Sequence, residues 1–199
     1  MIAYLRGTLL EKNPSQVIVD VHGVGYEVTI PVSAYSSLPE KGAELSLHIH
    51  THVREDALLL FGFVSAADKA VFEKLITVSG IGPKLAVTAL GGLAAPELAA
   101  AIRSGAIEQL VRIPGVGKKT AERMALELRD KLDLAGLPGR PDAVAPKTAF
   151  DANEEDVISA LMNFGASRAA GEAAVVKARS ATESNDFDAL FRRALKLVK

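Results

Sequence analysis

Residues 113–119 read IPGVGKK: two glycines one position apart, then two lysines, set between stretches of helical spacing. Glycine removes the side chains that keep a ligand at a distance. A helix starting just after such a turn presents N–H groups with no intrahelical partner. Its aligned peptide dipoles add partial positive charge at the same end, and lysines beside it add full charges. Together these features suit an anion. The pattern occurs twice. Shifting the chain by 35 positions lays LITVSGIGPKLA (residues 75–86) on LVRIPGVGKKTA (residues 110–121). Leu75 then falls on Leu110, Val78 on Ile113, Gly80 and Gly82 on Gly115 and Gly117, and Lys84 on Lys119. Internal repetition of this kind decides the fold expected. Each copy is a helix, a G-x-G turn and a second helix with lysine in its first turn, with Val78, Ile81, Ile113 and Val116 pinning the turns.

The anion is not a nucleotide held by a familiar loop. A G-x-x-x-x-G-K-[ST] loop needs glycine where Arg112 stands and a hydroxyl where Lys119 stands. A dinucleotide loop needs a third glycine where Thr120 or Leu85 stands, and a strand rather than a helix before it. What remains is the helix-hairpin-helix, which grips a nucleic-acid backbone irrespective of base; two in tandem could hold neighbouring phosphates of one duplex. The competing account is a helical hairpin whose glycines serve only as helix caps.

The elements around the repeat change texture along the chain. Residues 1–63 carry five β-rich runs, IAYLRGTLLE, QVIVDV, GYEVTIP, ELSLHIHTHV and ALLLFGF, with turn residues between them and a short helix expected near residues 34–38. Five strands at that spacing suit an OB-fold barrel. Residues 64–135 are helical and contain the repeat. Residues 136–150, rich in proline and glycine, read as a flexible linker, and residues 151–199 as a small helical domain. Its last helix shows Phe187, Leu190, Phe191, Ala194, Leu195 and Val198 in one stripe behind Asp186 as N-cap. The class expected is α+β multidomain.

Composition narrows the function. The net charge is −1 over 199 residues, so any nucleic-acid contact depends on local clusters. The first region holds four Lys/Arg against seven Asp/Glu, the second ten against eight, and the last nine against nine. The basic excess lies with the repeat. The absence of cysteine excludes disulfides, zinc-thiolate sites and iron–sulfur clusters, and fits a reducing compartment. MIAYLRGTLLEK lacks the basic start and apolar core of a signal peptide, and no apolar run suits a membrane helix. A cytoplasmic protein without membrane attachment is expected.

The ordered set MIAYLRGTLLEK, HGVGYEV, VREDALLLFGF, GIGPKLA and IPGVGKKTAERMALEL, spread over the whole chain, resembles the RuvA family, the Holliday-junction-binding subunits of the bacterial branch-migration machine. The resemblance implies an OB-fold, a tandem helix-hairpin-helix domain, a linker and a three-helix, UBA-like tail. It implies a homotetrameric plate, or two plates around the DNA, carrying an open four-way junction. Phosphate contacts would come from Gly80, Gly82, Lys84, Gly115, Gly117, Lys118, Lys119 and Arg123. The tail would dock on the hexameric RuvB ATPase, with Leu161, Phe164 and Leu195 as surface residues. The plate would also work with the RuvC endonuclease. No cofactor, metal or catalytic residue is implied, the ATPase residing in RuvB.

Glu55 and Asp56, in VREDAL, would form an acidic pin at the junction centre. A carboxylate ~4 Å from a phosphate costs about 4 kcal/mol at an effective dielectric near 20, before screening. A continuous duplex crossing the centre would meet that repulsion; an open junction would not. His48, His50 and His52 share one face of a strand and could ligate zinc, but with Leu45, Leu47, Ile49 and Val53 opposite they read more simply as a solvent or interface face. Two rival functions stay open on the residues alone. One is a helix-hairpin-helix repair enzyme, a glycosylase or structure-selective nuclease, for which Asp130 and Asp133 follow the second turn. The other is a general duplex-binding module.

Overall fold

In the computed structural model, residues 1–129, 131–132, 150–179 and 186–198 are described. Asp130, Asp133 and all of the expected linker except Phe150 lie outside them. The chain divides into two compact units, Met1–Ala143 and Val144–Lys199.

The first unit opens with a closed barrel of five strands: β1 (Tyr4–Asn13), β2 (Gln16–Val21), β3 (Val24–Thr29), β4 (Glu44–Val53) and β5 (Leu58–Phe63), in the order β1-β2-β3-β5-β4. Ten-residue β1 pairs with both β2 and β4, helped by a register shift between Leu9 and Glu11 that turns the strand from one neighbour to the other. Strand β3 meets β5 in parallel at Thr29 and Phe61, which closes the barrel. Alternation fills the interior: Val17, Val19, Leu45, Leu47 and Ile49 are buried with Leu5, Leu9, Val28, Ile30 and Leu60. A 3-10 helix, Val32–Ser37, lies between β3 and β4 in sequence, and its Ser33 Oγ donates to Leu90 O at 2.8 Å. Thr51 ties down the N-terminal segment, its Oγ1 accepting from Ile2 N–H at 2.8 Å and donating to Ile2 O at 2.7 Å. Across β1 and β4, Arg6 donates to Glu44 at 2.6 Å. That hydrogen bond, with the charge behind it, holds the Glu44 carboxyl below the usual carboxylate range and raises Arg6.

Among the described residues of this unit five helices follow: α1 (Ala66–Leu75), α2 (Pro83–Gly92), α3 (Ala95–Ser104), α4 (Ile107–Val111) and α5 (Lys118–Leu128). Ser65 caps α1 through the Asp68 N–H. The helices do not form a core of their own. Phe61 and Phe63 of β5 join it, with ring centroids 5.3 and 4.9 Å from that of Phe72 in α1. His50 of β4 meets the same ring edge-on at 5.1 Å and places Nδ1 3.1 Å from Glu73. Barrel and helices are therefore welded at α1, which fixes where the turns project.

Among its described residues the second unit has three helices, α6 (Ala152–Asn163), α7 (Arg168–Arg179) and α8 (Phe187–Leu197). Asp151 and Glu154 cap α6 reciprocally, and buried Glu154 also receives Arg179 at 3.2 Å. Arg168 binds Glu155 at 3.1 Å and Glu172 at 2.8 Å, partners that raise its pKa. Asp186 caps α8 as expected, accepting from Ala189 N–H. Val157, Ile158, Leu161, Val175 and Leu190 form the core. Leu161 is 0% exposed, so the expectation that it belongs to a docking surface is corrected: its side chain is spent on the small core shared by the three helices. Phe164 is 72% exposed and Leu195 41%. Phe164 packs on Phe191, which stacks on Phe187.

Candidate nucleic-acid interface

The two G-x-G turns are the same structure made twice. In the first, Ile81 N–H donates to Val78 O at 3.0 Å; in the second, Val116 N–H donates to Ile113 O at 3.0 Å. The third residue of each four-residue turn is a glycine at positive φ, Gly80 at 93° and Gly115 at 86°. A type II turn requires that conformation, and Pro114 at the second position of the other copy suits it. Leu75, Val78, Ile81 and their counterparts Leu110, Ile113 and Val116 are buried, pinning each turn to the shared core.

Gly82 and Gly117 have a different role. Their φ values, −87° and −84°, are ordinary extended backbone. A Cβ added to either would meet nothing within 4 Å. Neither backbone angle nor packing needs glycine there. Both are the N-caps of helices, and neither supplies a side chain to cap the first turn, unlike Ser65, Asp151 and Asp186. The first intrahelical bonds run from Ala86 N–H to Gly82 O at 3.0 Å and from Ala121 N–H to Gly117 O at 2.9 Å. The earlier amides, of Lys84 and Leu85 in one copy and of Lys118, Lys119 and Thr120 in the other, have no intrahelical acceptor. Pro83 has no N–H to offer. Gly80, Gly82, Lys84, Gly115, Gly117, Lys118 and Lys119 are all exposed. This is an amide-lined, positively charged pair of turns open to an anion.

Between β4 and β5 the chain turns through Arg54, Glu55, Asp56 and Ala57, with Arg54 N–H donating to Ala57 O at 2.8 Å and both carboxylates exposed. This acidic tip stands beside the first turn. A groove of about 320 Å³ is lined by His52, Arg54 and Asp56 on one side and by Gly82, Pro83 and Lys84 on the other. Opposite charges thus flank one groove, 28 residues apart in sequence from Asp56 to Lys84.

The family model for the RuvA N-terminal domain matches residues 1–62, and that for the SAM-like helix-hairpin-helix tandem matches residues 72–130. A protein of Solibacter usitatus is 58% identical over 100% of both chains, and one of Acidobacterium capsulatum 51% identical over the same share. The chain belongs to the RuvA family. A third relative, from Geobacter metallireducens, is 46% identical over 100% of this chain and 99% of its own. All three are named "Holliday junction branch migration complex subunit RuvA".

Other residues singled out in this RuvA-family chain have separate surroundings. The histidine face packs on neighbouring side chains of the same chain: His48 on Tyr4, His50 on Phe72 and Glu73, and His52 on Phe61, where it also accepts from Arg54 at 3.3 Å. No group of three His, Cys, Asp or Glu among the described residues could hold a metal. Val53 is 68% exposed rather than sharing the buried face of Leu45, Leu47 and Ile49; it ends β4 where the strand leaves the barrel for the acidic tip. Arg123 does not simply face solvent. Its Nη1 donates to Ser79 O in the first turn at 2.9 Å. Sequence spacing missed Ser79 and Leu85, because contacts between the two copies leave no trace in either copy's own pattern.

Proposed function

We propose that this chain binds four-way junction DNA through the sugar-phosphate backbone and serves a branch-migration complex in recombination and repair. Amides at the starts of α2 and α5 receive phosphates, with Lys84, Lys118 and Lys119 supplying charge and Arg123 alongside. Glu55 and Asp56 repel a duplex that crosses the junction centre. The observation carrying this reading is the pair Gly82 and Gly117, glycines that neither backbone angle nor packing demands. They are explained by something outside the fold approaching the helix starts. The names of the relatives supply the DNA structure and the complex.

The finer assignments follow from the family. The chain acts without catalysis of its own as a homotetramer in the cytoplasm, singly or as two plates about the DNA. Residues 1–63 assemble the plate and face the junction centre, 64–135 bind the arms, 136–150 link, and 151–199 dock a hexameric RuvB ATPase. RuvC shares the assembled junction. Phe164 and Leu195 keep the exposure that a docking residue needs.

Binding to a four-way junction, compared with binding to its arms as separate duplexes at one salt concentration, tests the proposal. The junction is expected to bind at least tenfold tighter, equivalent to about 1.4 kcal/mol. Equal affinity would favour a general duplex-binding module, and strand cleavage by the purified protein would favour a repair enzyme.

A further inference from the structure

The two turns touch each other through residues that neither copy shares. Arg123 lies in α5 of the second copy, yet its Nη1 donates to Ser79 O of the first turn at 2.9 Å. The same nitrogen lies 4.0 Å from where a Cβ on Gly80 would be. Glu127, one helical turn on, steadies the guanidinium from 3.9 Å. The contact is returned. Leu85, in α2 of the first copy, places Cδ1 3.0 Å from a Cβ position on Gly115. Each turn is thus held by the helix that follows the other turn, one through a charged hydrogen bond and one through an apolar side chain. The 35-residue shift puts Thr88 where Arg123 stands and Thr120 where Leu85 stands. The struts therefore belong to the pairing of the copies rather than to the repeat.

We infer that Arg123 is a positioning residue: it locks the first turn against α5 and so sets the spacing of the two phosphate sites. The inference rests on the backbone-binding function proposed above. One of the five guanidinium N–H donors is spent on Ser79 O, which ties the side chain to the first turn. A planar guanidinium fits the task because one face of the fork takes the carbonyl while the Nε side meets Glu127. Losing it frees the first turn to shift, and both sites then cease to match one backbone together.

The test begins without DNA, on the full chain. The Ile81 N–H, bonded to Val78 O within the first turn, and its counterpart Val116 N–H within the second are matched hydrogen-exchange probes. In Arg123→Gln, Ile81 exchange should accelerate about tenfold with Val116 unchanged, and Arg123→Lys should recover most of the protection. On junction DNA, Arg123→Gln should lower the salt slope by more than the roughly 0.9 of one phosphate. Combined with Lys84→Ala, its loss of affinity should be less than additive. Unchanged Ile81 exchange, with a slope falling by only about 0.9, would overturn the inference and make Arg123 an ordinary phosphate ligand. Failure of the wild type to bind junctions would instead strike the function, leaving the exchange result standing.

Discussion

At the residue scale, Lys118 and Lys119 combine two effects that single positions rarely share. Each is among the first residues of α5, where the backbone amide is unpaired, and each adds a charged side chain beside that amide. Replacing both by alanine keeps the amides and removes the charges. The slope of log affinity against log salt should then fall by about two, since two fewer counterions are released. An unchanged slope would place these lysines off the backbone. Both residues were legible in the sequence, because a doubled lysine after G-x-G needs no tertiary information. Arg123 was only half legible: its helical distance from Lys119 was plain, but its hydrogen bond to Ser79 crosses 44 positions.

At the scale of elements, the four glycines divide by task, a division that spacing alone left hidden. Gly80 and Gly115 sit at positive φ inside their turns. Alanine at either should destabilise the fold by roughly 1–2 kcal/mol in denaturant unfolding. At Gly115 the added methyl would also press on Leu85. Stability equal to wild type would contradict the turn assignment. The strands and helices themselves were readable: alternation in QVIVDV and ELSLHIHTHV gives β2 and β4 residue for residue. What stayed unread is how elements share faces. Phe61 and Phe63 look like barrel residues in sequence but belong to the helical core, because α1 closes on the outside of β5. Leu161 sits on a helical stripe whose inward and outward positions only the packing of three short helices decides.

At the scale of the whole molecule, the proposed selectivity rests on the acidic tip and the first turn flanking one groove. Attraction at Lys84 and repulsion at Glu55 and Asp56 can then act on the same DNA, and their balance selects its shape. Converting Glu55 to Gln and Asp56 to Asn removes the repulsion at nearly constant volume. Linear duplex binding should rise relative to junction binding in a competition assay; a constant ratio would remove the tip from the account of selectivity. The proposed grip rests on amides left open by Gly82 and Gly117, and the most direct test replaces both with alanine. Each alanine should cost the fold about 1 kcal/mol, as at a helix N-cap, while junction affinity of the folded protein falls at least tenfold, about 1.4 kcal/mol. Junction affinity unchanged in that double variant would contradict the account, because a methyl group would then stand where the phosphate is said to sit.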